Sequence, residues 1–247
     1  VLAVGVARMA RRRAIIRKLT AVETLGSTTV ICSDKTGTLT ENQMTVQQIF
    51  AGGQFYEVTG TGYDASGVVQ AEGKPVVPEA HPAMLACLRA GLLCNDSVLI
   101  CEDGKIRVEG DPTEAELIVA AEKAGLVDAD VRREIDRLDA IPFESEHQFM
   151  PTLHRGKEGH IIYKKGAVER VVGDCSTMGD NHGNELPIEP NKIFAAADRM
   201  AANGLRVLAF AQRKATTKQC ELDHHHVARD LTFLGLQGMM DPPRPEV

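Results

Sequence analysis

Residues 32–40 read CSDKTGTLT, and they close the β-branched run TTVICSD at residues 28–34. Such a run predicts a strand that is buried on both faces of a parallel sheet. Asp34 would then lie just past the carboxyl end of that strand. Because open α/β sheets bind ligands at this edge, the sequence predicts that Asp34 takes part in chemistry.

The residue types of this stretch suit phosphoryl transfer. The Asp34 carboxylate can attack a terminal phosphate in line, and Lys35 can offset the charge that accumulates there. Thr36, Gly37 and Thr38 can offer hydroxyls and backbone N–H groups to phosphate oxygens. A solvated turn of the form S-D-K-T-G is the alternative, and the residue types alone leave both open.

The longer stretch at residues 32–46, CSDKTGTLTENQMTV, resembles the phosphorylation signature of the P-type ATPases. Further blocks that resemble this family follow in its order: GDPTE (110–114), PFESEHQFM (142–150), KGAVE (165–169), GLRVLAF (204–210) and MMDPPR (239–244). The resemblance covers essentially the whole chain and is greatest to the type II cation pumps, which include calcium and sodium/potassium transporters. It implies an enzyme that couples ATP hydrolysis to cation transport.

The resemblance implies that Asp34 is the aspartate phosphorylated by ATP, with Lys35 and Thr36 as further catalytic residues. It also implies ATP and Mg²⁺ as cofactors, with Asp34 and the backbone carbonyl of Thr36 as metal ligands. Many phosphatases of the haloacid dehalogenase fold carry a second aspartate, a general acid/base, at the position of Thr36. Without that proton shuttle the acyl phosphate should hydrolyse slowly, which favours a pump over a phosphatase.

A nucleotide pocket is the second implication of the resemblance. Phe143 would stack on adenine, Lys165 would lie at the deep end of the pocket, and Arg206 would contact phosphate. The full nucleotide-binding set is Glu114, Phe143, Ser145, Lys165, Gly166, Arg206, Asp241 and Arg244. The alternatives are a core phenylalanine at 143 and solvated ion pairs at Glu114 and Arg206.

The chain departs from the family pattern at two positions. Several relatives have KGAPE where this chain has KGAVE, a change that should alter only a turn. Relatives also carry a basic residue near the position of Gln148. We expect its absence to remove one positive contact to ATP and to weaken affinity.

The predicted fold is an α+β nucleotide-binding domain, an antiparallel sheet flanked by helices, inserted into a partial α/β haloacid-dehalogenase-like (Rossmann-like) phosphorylation domain. Helices are predicted at residues 83–93, 112–124 and 192–202, and strands at 140–143, 148–154, 161–165 and 205–211. The domains are predicted as 1–23 (end of a transmembrane helix or cytosolic stalk), 24–42 (first part of the phosphorylation domain), 43–231 (nucleotide-binding domain) and 232–247 (start of its second part). The two phosphorylation segments should pair in one parallel sheet.

The amino terminus and the overall charge indicate where the protein works. Residues 1–7 are apolar, and six basic residues follow between positions 8 and 18. This pattern is typical of a transmembrane helix entering the cytoplasm, although an amphipathic surface helix fits equally well. We therefore expect the full-length protein in the cell membrane, with this portion facing the cytoplasm. The net charge of -6 argues against a nucleic-acid partner.

Cysteine and histidine spacing predicts no metal site. The six cysteines contain no C-x-x-C pair, which favours free thiols in a reduced compartment. The triplet at residues 224–226 is three consecutive histidines, and adjacent side chains do not converge on one face of a helix or strand. A solvated turn is therefore predicted there.

The family's second conserved block, TGDGVNDAPAL, and its TGE loop do not occur in the 247 residues. We therefore expect a fragment that binds nucleotide, whose partners are the actuator and transmembrane domains of the same protein and, through the latter, a transported cation, calcium by type II likeness. The alternatives are a soluble haloacid-dehalogenase-type phosphatase and a stand-alone ATP-binding module. The first needs an acid at Thr36, and the second does not need CSDKTGTLT.

Overall fold

Alternating apolar residues and frequent turn-forming glycines fold most of the chain into an antiparallel sheet with helices on its faces. The computed structural model describes residues 2–18, 20–41, 43–102, 105–157 and 159–244. The helices are α1 (Leu2–Arg11), α2 (Thr20–Gly26), α3 (Pro82–Leu93), α4 (Pro112–Lys123), α5 (Asp128–Glu134), α6 (Val168–Gly173) and α7 (Pro190–Ala202). Short helical turns lie at Lys35–Leu39, Pro78–Ala80 and His224–Val227.

The strands form one large sheet and one hairpin. They are β1 (Thr45–Ala51), β2 (Gln54–Val58), β3 (Val69–Ala71), β4 (Lys74–Pro75), β5 (Val98–Glu102), β6 (Lys105–Glu109), β7 (Asp136–Ala140), β8 (Phe149–Gly156), β9 (Gly159–Gly166), β10 (Cys175–Gly179), β11 (Glu185–Pro187), β12 (Arg206–Ala215) and β13 (Leu231–Met240). The large sheet runs β4-β3-β2-β1-β13-β12-β9-β8-β7, with β10 and β11 attached beside β13 and with β5-β6 apart. This confirms the predicted antiparallel sheet with flanking helices.

The middle of this sheet is β13, which pairs antiparallel with β1 on one side and with β12 on the other. Val46 lies opposite Met239, and Ala209 lies opposite Leu236. The prediction that residues 24–42 and 232–247 pair as strands of one parallel sheet is therefore wrong for residues 232–240. The apolar pattern identified a buried strand correctly, but its long neighbours β1 and β12 are both antiparallel, and its one parallel partner is the short β10, which pairs with residues 231–233.

Residues 28–34 form no strand in the structure, contrary to the prediction. Val30 and Ile31 are 76% and 79% exposed. A strand needs a neighbouring strand to pair with, and none of the strands that the structure describes pairs with this run. The two predicted phosphorylation segments do meet further on, through an antiparallel bridge between Thr40 and Pro243 and a hydrogen bond from the Glu41 N–H to the Pro242 carbonyl (3.0 Å).

The predicted helices at residues 83–93, 112–124 and 192–202 correspond to α3, α4 and α7. Each begins with a proline, whose missing N–H costs nothing in a first turn. The predicted strands at 148–154, 161–165 and 205–211 correspond to β8, β9 and β12. Strand β7 ends at Ala140, however, so residues 141–143 were wrongly predicted as strand, since Pro142 follows and cannot donate to a ladder.

Helix α3 packs directly on β13 and fixes the core on one face of the sheet. A Cβ on Gly235 would lie 2.5 Å from the Phe50 carbonyl oxygen and 2.8 Å from Cys87 Sγ, so only glycine permits this approach. Gln237 Nε2 donates to the Cys87 carbonyl oxygen (3.1 Å). Cys87 and Cys94 are fully buried, as small apolar side chains. Helices α6 and α7 cover the other face.

The amino-terminal helix α1 has ten residues. Among the residues that the structure describes, no helix combines the length and the apolar character needed to cross a membrane.

Two buried titratable side chains oppose each other in their pH dependence. His154 on β8 is 1% exposed, neither ring nitrogen makes a hydrogen bond of normal geometry with the described residues, and burial lowers its pKa to about 4. Glu116 on α4 is equally buried, and burial raises its pKa to about 8 although Lys123 acts in the other direction. In both residues the charged form costs stability. His154 therefore destabilises the fold as pH falls and it becomes protonated, whereas Glu116 destabilises the fold as pH rises and it ionises.

We expect His154 to make the protein less stable in mild acid. Its pKa lies below the unfolded value of about 6.5, so its contribution is complete above that pH and is lost as pH falls towards 4. In urea unfolding at pH 4.5 and 7.0, His154→Phe should show a smaller loss of unfolding free energy than wild type, by about 1 to 3 kcal/mol.

Comparing variant with wild type removes the opposing contribution of Glu116, which is present in both. The exposed His182→Gln is the matched control and should keep the wild-type difference between the two pH values. An equal acid loss in His154→Phe and wild type would contradict the assignment.

Candidate functional site

A cleft of about 440 Å³ opens where the start of β12 meets the end of β13. Antiparallel pairing places Arg206, the first residue of β12, opposite Met239, and the amino terminus of α4 supplies Asp111, Pro112 and Thr113. The full lining is Lys35, Met44, Asp111, Pro112, Thr113, Gly204, Arg206, Met239, Met240 and Asp241. We call it the sheet-end cleft. It combines two cations with an apolar floor.

The predicted catalytic segment lies at the edge of the sheet-end cleft. Lys35 lines the cleft, and Asp34 precedes it as the exposed residue before the helical turn Lys35–Leu39. Within the described part of the chain, the Asp34 carboxylate has no hydrogen-bond or ion-pair partner, so it is free to react or to bind a cation. The side chain of Thr36 lies outside what the structure describes.

Asp241 and Arg244 hold this segment in place. Asp241 accepts hydrogen bonds from the Thr40 hydroxyl (2.5 Å) and from the Gln43 N–H (3.1 Å). The Arg244 guanidinium donates to the carbonyl oxygens of Thr38 (3.2 Å) and Gly37 (3.3 Å). Both residues were predicted to bind nucleotide, which stays a prediction; their hydrogen bonds in the structure go to the segment 37–43 that follows Asp34.

A second part of the predicted site is a buried ion pair between Lys165, at the end of β9, and Glu114, in the first turn of α4. Lys165 is 6% exposed, and its ammonium donates to the Glu114 carboxylate and to the Cys94 carbonyl oxygen. The other Glu114 oxygen accepts from the Asp96 N–H (2.8 Å). An ammonium has three N–H donors, so one remains for a ligand.

Gly166 is required by packing between strands. A Cβ there would lie 2.4 Å from the Gln148 carbonyl oxygen and 2.7 Å from Phe149 Cβ. Its neighbour across β8 is Phe149, and across β12 it is Ala209. The glycine thus lets β8 approach β9 closely beside Lys165.

Phe143 and Ser145 lie on the turn at residues 141–148, which joins β7 to β8. The Phe143 side chain is 57% exposed, so it is not a core phenylalanine. The turn is closed by hydrogen bonds from the His147 and Gln148 N–H groups to the Glu144 carbonyl oxygen, and Gln148 has a positive φ of 59°. No hydrogen bond or ring contact of the described residues links Phe143 or Ser145 to Lys165 or Arg206.

The structure therefore brings the predicted residues together in three groups. Lys35, Arg206 and Asp241 share the sheet-end cleft, Glu114 pairs with Lys165, and Phe143 with Ser145 occupies a separate turn. Sequence reasoning missed three residues: Asp111, which caps α4 by accepting from the Thr113 N–H (2.7 Å), Thr113 in the cleft wall, and Thr40. All three belong to GDPTE and CSDKTGTLT, the blocks that contain the predicted site residues Glu114 and Asp34. Their nearness in sequence to those residues was the signal that could have identified them.

Comparison with known proteins identifies the family. The model for the cytoplasmic domain N of P-type ATPases matches residues 83–246. The chain is 50% identical over 250 residues to the cation-transporting ATPase pma1 of Synechocystis, with 99% of this chain aligned. The chain belongs to the P-type ATPase family.

Two further relatives extend this P-type ATPase membership. A probable cation-transporting ATPase F of Mycobacterium tuberculosis is 43% identical, and the human calcium-transporting ATPase type 2C member 2 is 39% identical, each over 98% of this chain. The alignments span 28%, 27% and 25% of the cyanobacterial, mycobacterial and human proteins. The chain thus corresponds to about a quarter of the length of these ATPases.

We expect Glu114→Ala to destabilise the protein by about 3 kcal/mol, because it leaves the Lys165 ammonium buried without its counter-charge. The matched control is Glu109→Ala, which removes one partner of the exposed Arg107–Glu109 pair and should cost less than about 1 kcal/mol. Urea unfolding at pH 7 measures both. Equal losses in the two variants would show that the Glu114–Lys165 pair is not a structural anchor.

Proposed function

We propose that this chain binds ATP and carries the phosphorylated aspartate, Asp34, of a cation-transporting P-type ATPase. The observation that carries the proposal is the unbroken CSDKTGTLT segment, hydrogen-bonded through Thr40 to Asp241 beside a cleft that contains Lys35 and Arg206. Residue 36 is threonine rather than an acid, which argues against the alternative of a phosphatase.

We propose domain limits that follow the sheet. Residues 1–23 would be the end of a transmembrane helix or a cytosolic stalk, and residues 24–42 the first part of the phosphorylation domain. The nucleotide-binding domain would run from 43 to 240, because β13 belongs to its sheet, and a second phosphorylation segment would begin at Asp241.

In this proposal the adenine is bound near the 141–148 turn and the phosphates near the sheet-end cleft. The exposed Phe143 ring offers a face on which a base can stack. The remaining N–H of Lys165 would donate to the nucleotide, while Glu114 keeps the ammonium oriented. Arg206 would bind phosphate oxygens, for which a guanidinium is suited.

The Asp34 carboxylate would attack the γ-phosphorus, forming a bond to a carboxylate oxygen as the bond to the bridging oxygen breaks and ADP leaves. Lys35 would reduce the repulsion between the two anions. The exposed, unpaired Asp34 carboxylate and the Thr36 carbonyl fit Mg²⁺, which binds a few protein oxygens together with water and phosphate, and which would neutralise phosphate charge. Ser145, two residues after Phe143, and Gly166, next to Lys165, would contribute to nucleotide binding.

Our proposals for the transported ion and the membrane location rest on the relatives. Two relatives are named cation-transporting and a third calcium-transporting. We propose a cation, calcium in the first instance, moved by a full-length membrane protein whose nucleotide-binding portion faces the cytoplasm. Its actuator and transmembrane domains would be the partners of this portion.

Isothermal titration with ATP and with adenosine should separate base from phosphate recognition. We expect Phe143→Ala to weaken the binding of both ATP and adenosine by about 1 to 3 kcal/mol, because stacking involves only the base, which the two ligands share. We expect Arg206→Ala to weaken ATP and to leave adenosine unchanged.

Phe143→Tyr is the matched control, since it keeps an aromatic ring at the exposed position and should retain binding. Affinity for ATP that is unchanged in both Phe143→Ala and Arg206→Ala would place the nucleotide elsewhere and overturn the proposed pocket.

In the full-length ATPase, we expect incubation with radiolabelled ATP, Mg²⁺ and the transported ion, followed by an acid quench, to give a hydroxylamine-sensitive phosphoprotein. Asp34→Asn should abolish that label because an amide is a poor nucleophile. The control is Ser33→Ala, because the Ser33 hydroxyl donates to the backbone carbonyl of Asp34 and not to its carboxylate. Labelling that survives Asp34→Asn would reject Asp34 as the acceptor.

A further inference from the structure

Three potential metal ligands converge beside the 141–148 turn. Glu144 and His147 come from the turn itself, and His224 comes from the short helix His224–Val227, more than seventy residues later in the chain. One ligand atom from each side chain lies within 4.8 Å of the other two, and Glu144 Oε2 is 3.3 Å from His147 Nε2. We call this group the His–Glu cluster. The three consecutive histidines do not converge with one another, but the first of them joins two distant residues.

From this geometry, we propose that the His–Glu cluster is a binding site for one divalent transition cation of the zinc class. Two imidazoles and one carboxylate form a three-ligand set that zinc accepts, with a fourth position left for water. Two ligands on a tetrahedral zinc are about 3.3 Å apart, the spacing already present between Glu144 and His147. Imidazole ligands select against Mg²⁺ and Ca²⁺, which prefer oxygen.

The backbones that carry the ligands are held in place. The Glu144 carbonyl oxygen accepts from two N–H groups of its own turn. The helix that carries His224 begins with a capping box in which Asp223 accepts from the His226 N–H and His226 Nδ1 accepts from the Asp223 N–H. His226 is therefore committed to the cap, while His224 is left to face His147, with ring centroids 4.5 Å apart. Small side-chain rotations would bring the donors together.

The surroundings of the His–Glu cluster favour a cation. His147 and His224 also line a cleft of about 550 Å³ whose other walls include the carboxylates of Glu146 and Glu169 and one arginine, Arg170. The Phe149 ring packs beneath both imidazoles, with centroids 5.8 and 6.0 Å away. A buried cation nearby, Lys164, lies over Phe149 and is neutralised by its ion pair with Asp174.

Binding would join the 141–148 turn to the helix that carries His224. Since the metal would bind the folded arrangement and not the separated ligands of the unfolded chain, it should also raise the melting temperature. This proposal does not depend on the proposed function, because neither ATP nor Asp34 takes part.

Zinc chloride titration by calorimetry, on protein without an expression tag, tests the site. The exposed Cys32, Cys101 and Cys220 are replaced by serine throughout, so that thiolates do not compete. We expect one Zn²⁺ per chain, with at least about tenfold weaker binding in His147→Gln and in His224→Gln, and no displacement of the bound zinc by excess Mg²⁺. His225→Gln, which changes the next histidine of the triplet, is the matched control and should bind as the parent does.

Cobalt(II) provides a second measurement, since a tetrahedral site gives an intense visible absorption that should be absent from His147→Gln. Circular dichroism verifies that each variant is folded. The proposal is overturned if the parent shows no saturable zinc binding. It is equally overturned if His225→Gln weakens zinc as much as His224→Gln, which would indicate non-specific binding by the histidine triplet.

Discussion

The hydrogen bonding of β13 on both edges is the constraint on which the rest of the structure depends. This strand is the last in the chain, yet it lies between β1, the first, and β12. The sheet is therefore complete only after residues 231–240 have paired with β1, a contact between residues far apart in the sequence. Gly235 allows α3 to approach this strand, and Gln237 ties it to the Cys87 carbonyl.

The same pairing assembles the candidate site from its ends. Because β13 ends opposite the start of β12, Met239 and Arg206 lie side by side where these two strands end, and Asp241 follows Met240 directly. Asp241 then accepts from Thr40 and Gln43, so the residue that ends the sheet also fixes the segment that begins it. Asp34 owes its position beside the sheet-end cleft to this return of the chain, and not to a strand of its own.

The sequence predicted the positions of helices and strands better than it predicted which strands pair. Helices α3, α4 and α7 were recognisable because apolar spacing and a first-turn proline are local signals. Residues 231–240 and 28–34 both have the composition of a buried strand, but the first run is the central strand of the sheet and the second forms no strand. Strand composition reports burial and backbone preference, whereas pairing depends on distant residues. The same limit hid the convergence of His224 with His147, since no spacing rule joins residues so far apart.

Two adjacent lysines on β9 show how the sheet separates the two candidate sites. Successive side chains of a strand point to opposite faces, so Lys165 pairs with Glu114 at the start of α4, while Lys164 pairs with Asp174 after α6 and lies over Phe149. The Lys165–Glu114 pair thus lies on one face of the sheet and the Phe149 side of the His–Glu cluster on the other. Phe143 and Glu144 are neighbours in the turn that ends this layer. A cation at the cluster would therefore influence the proposed nucleotide pocket mainly through the backbone of that turn. Its direct electrostatic effect would be small, because two strands and two ion-paired lysines lie between the sites.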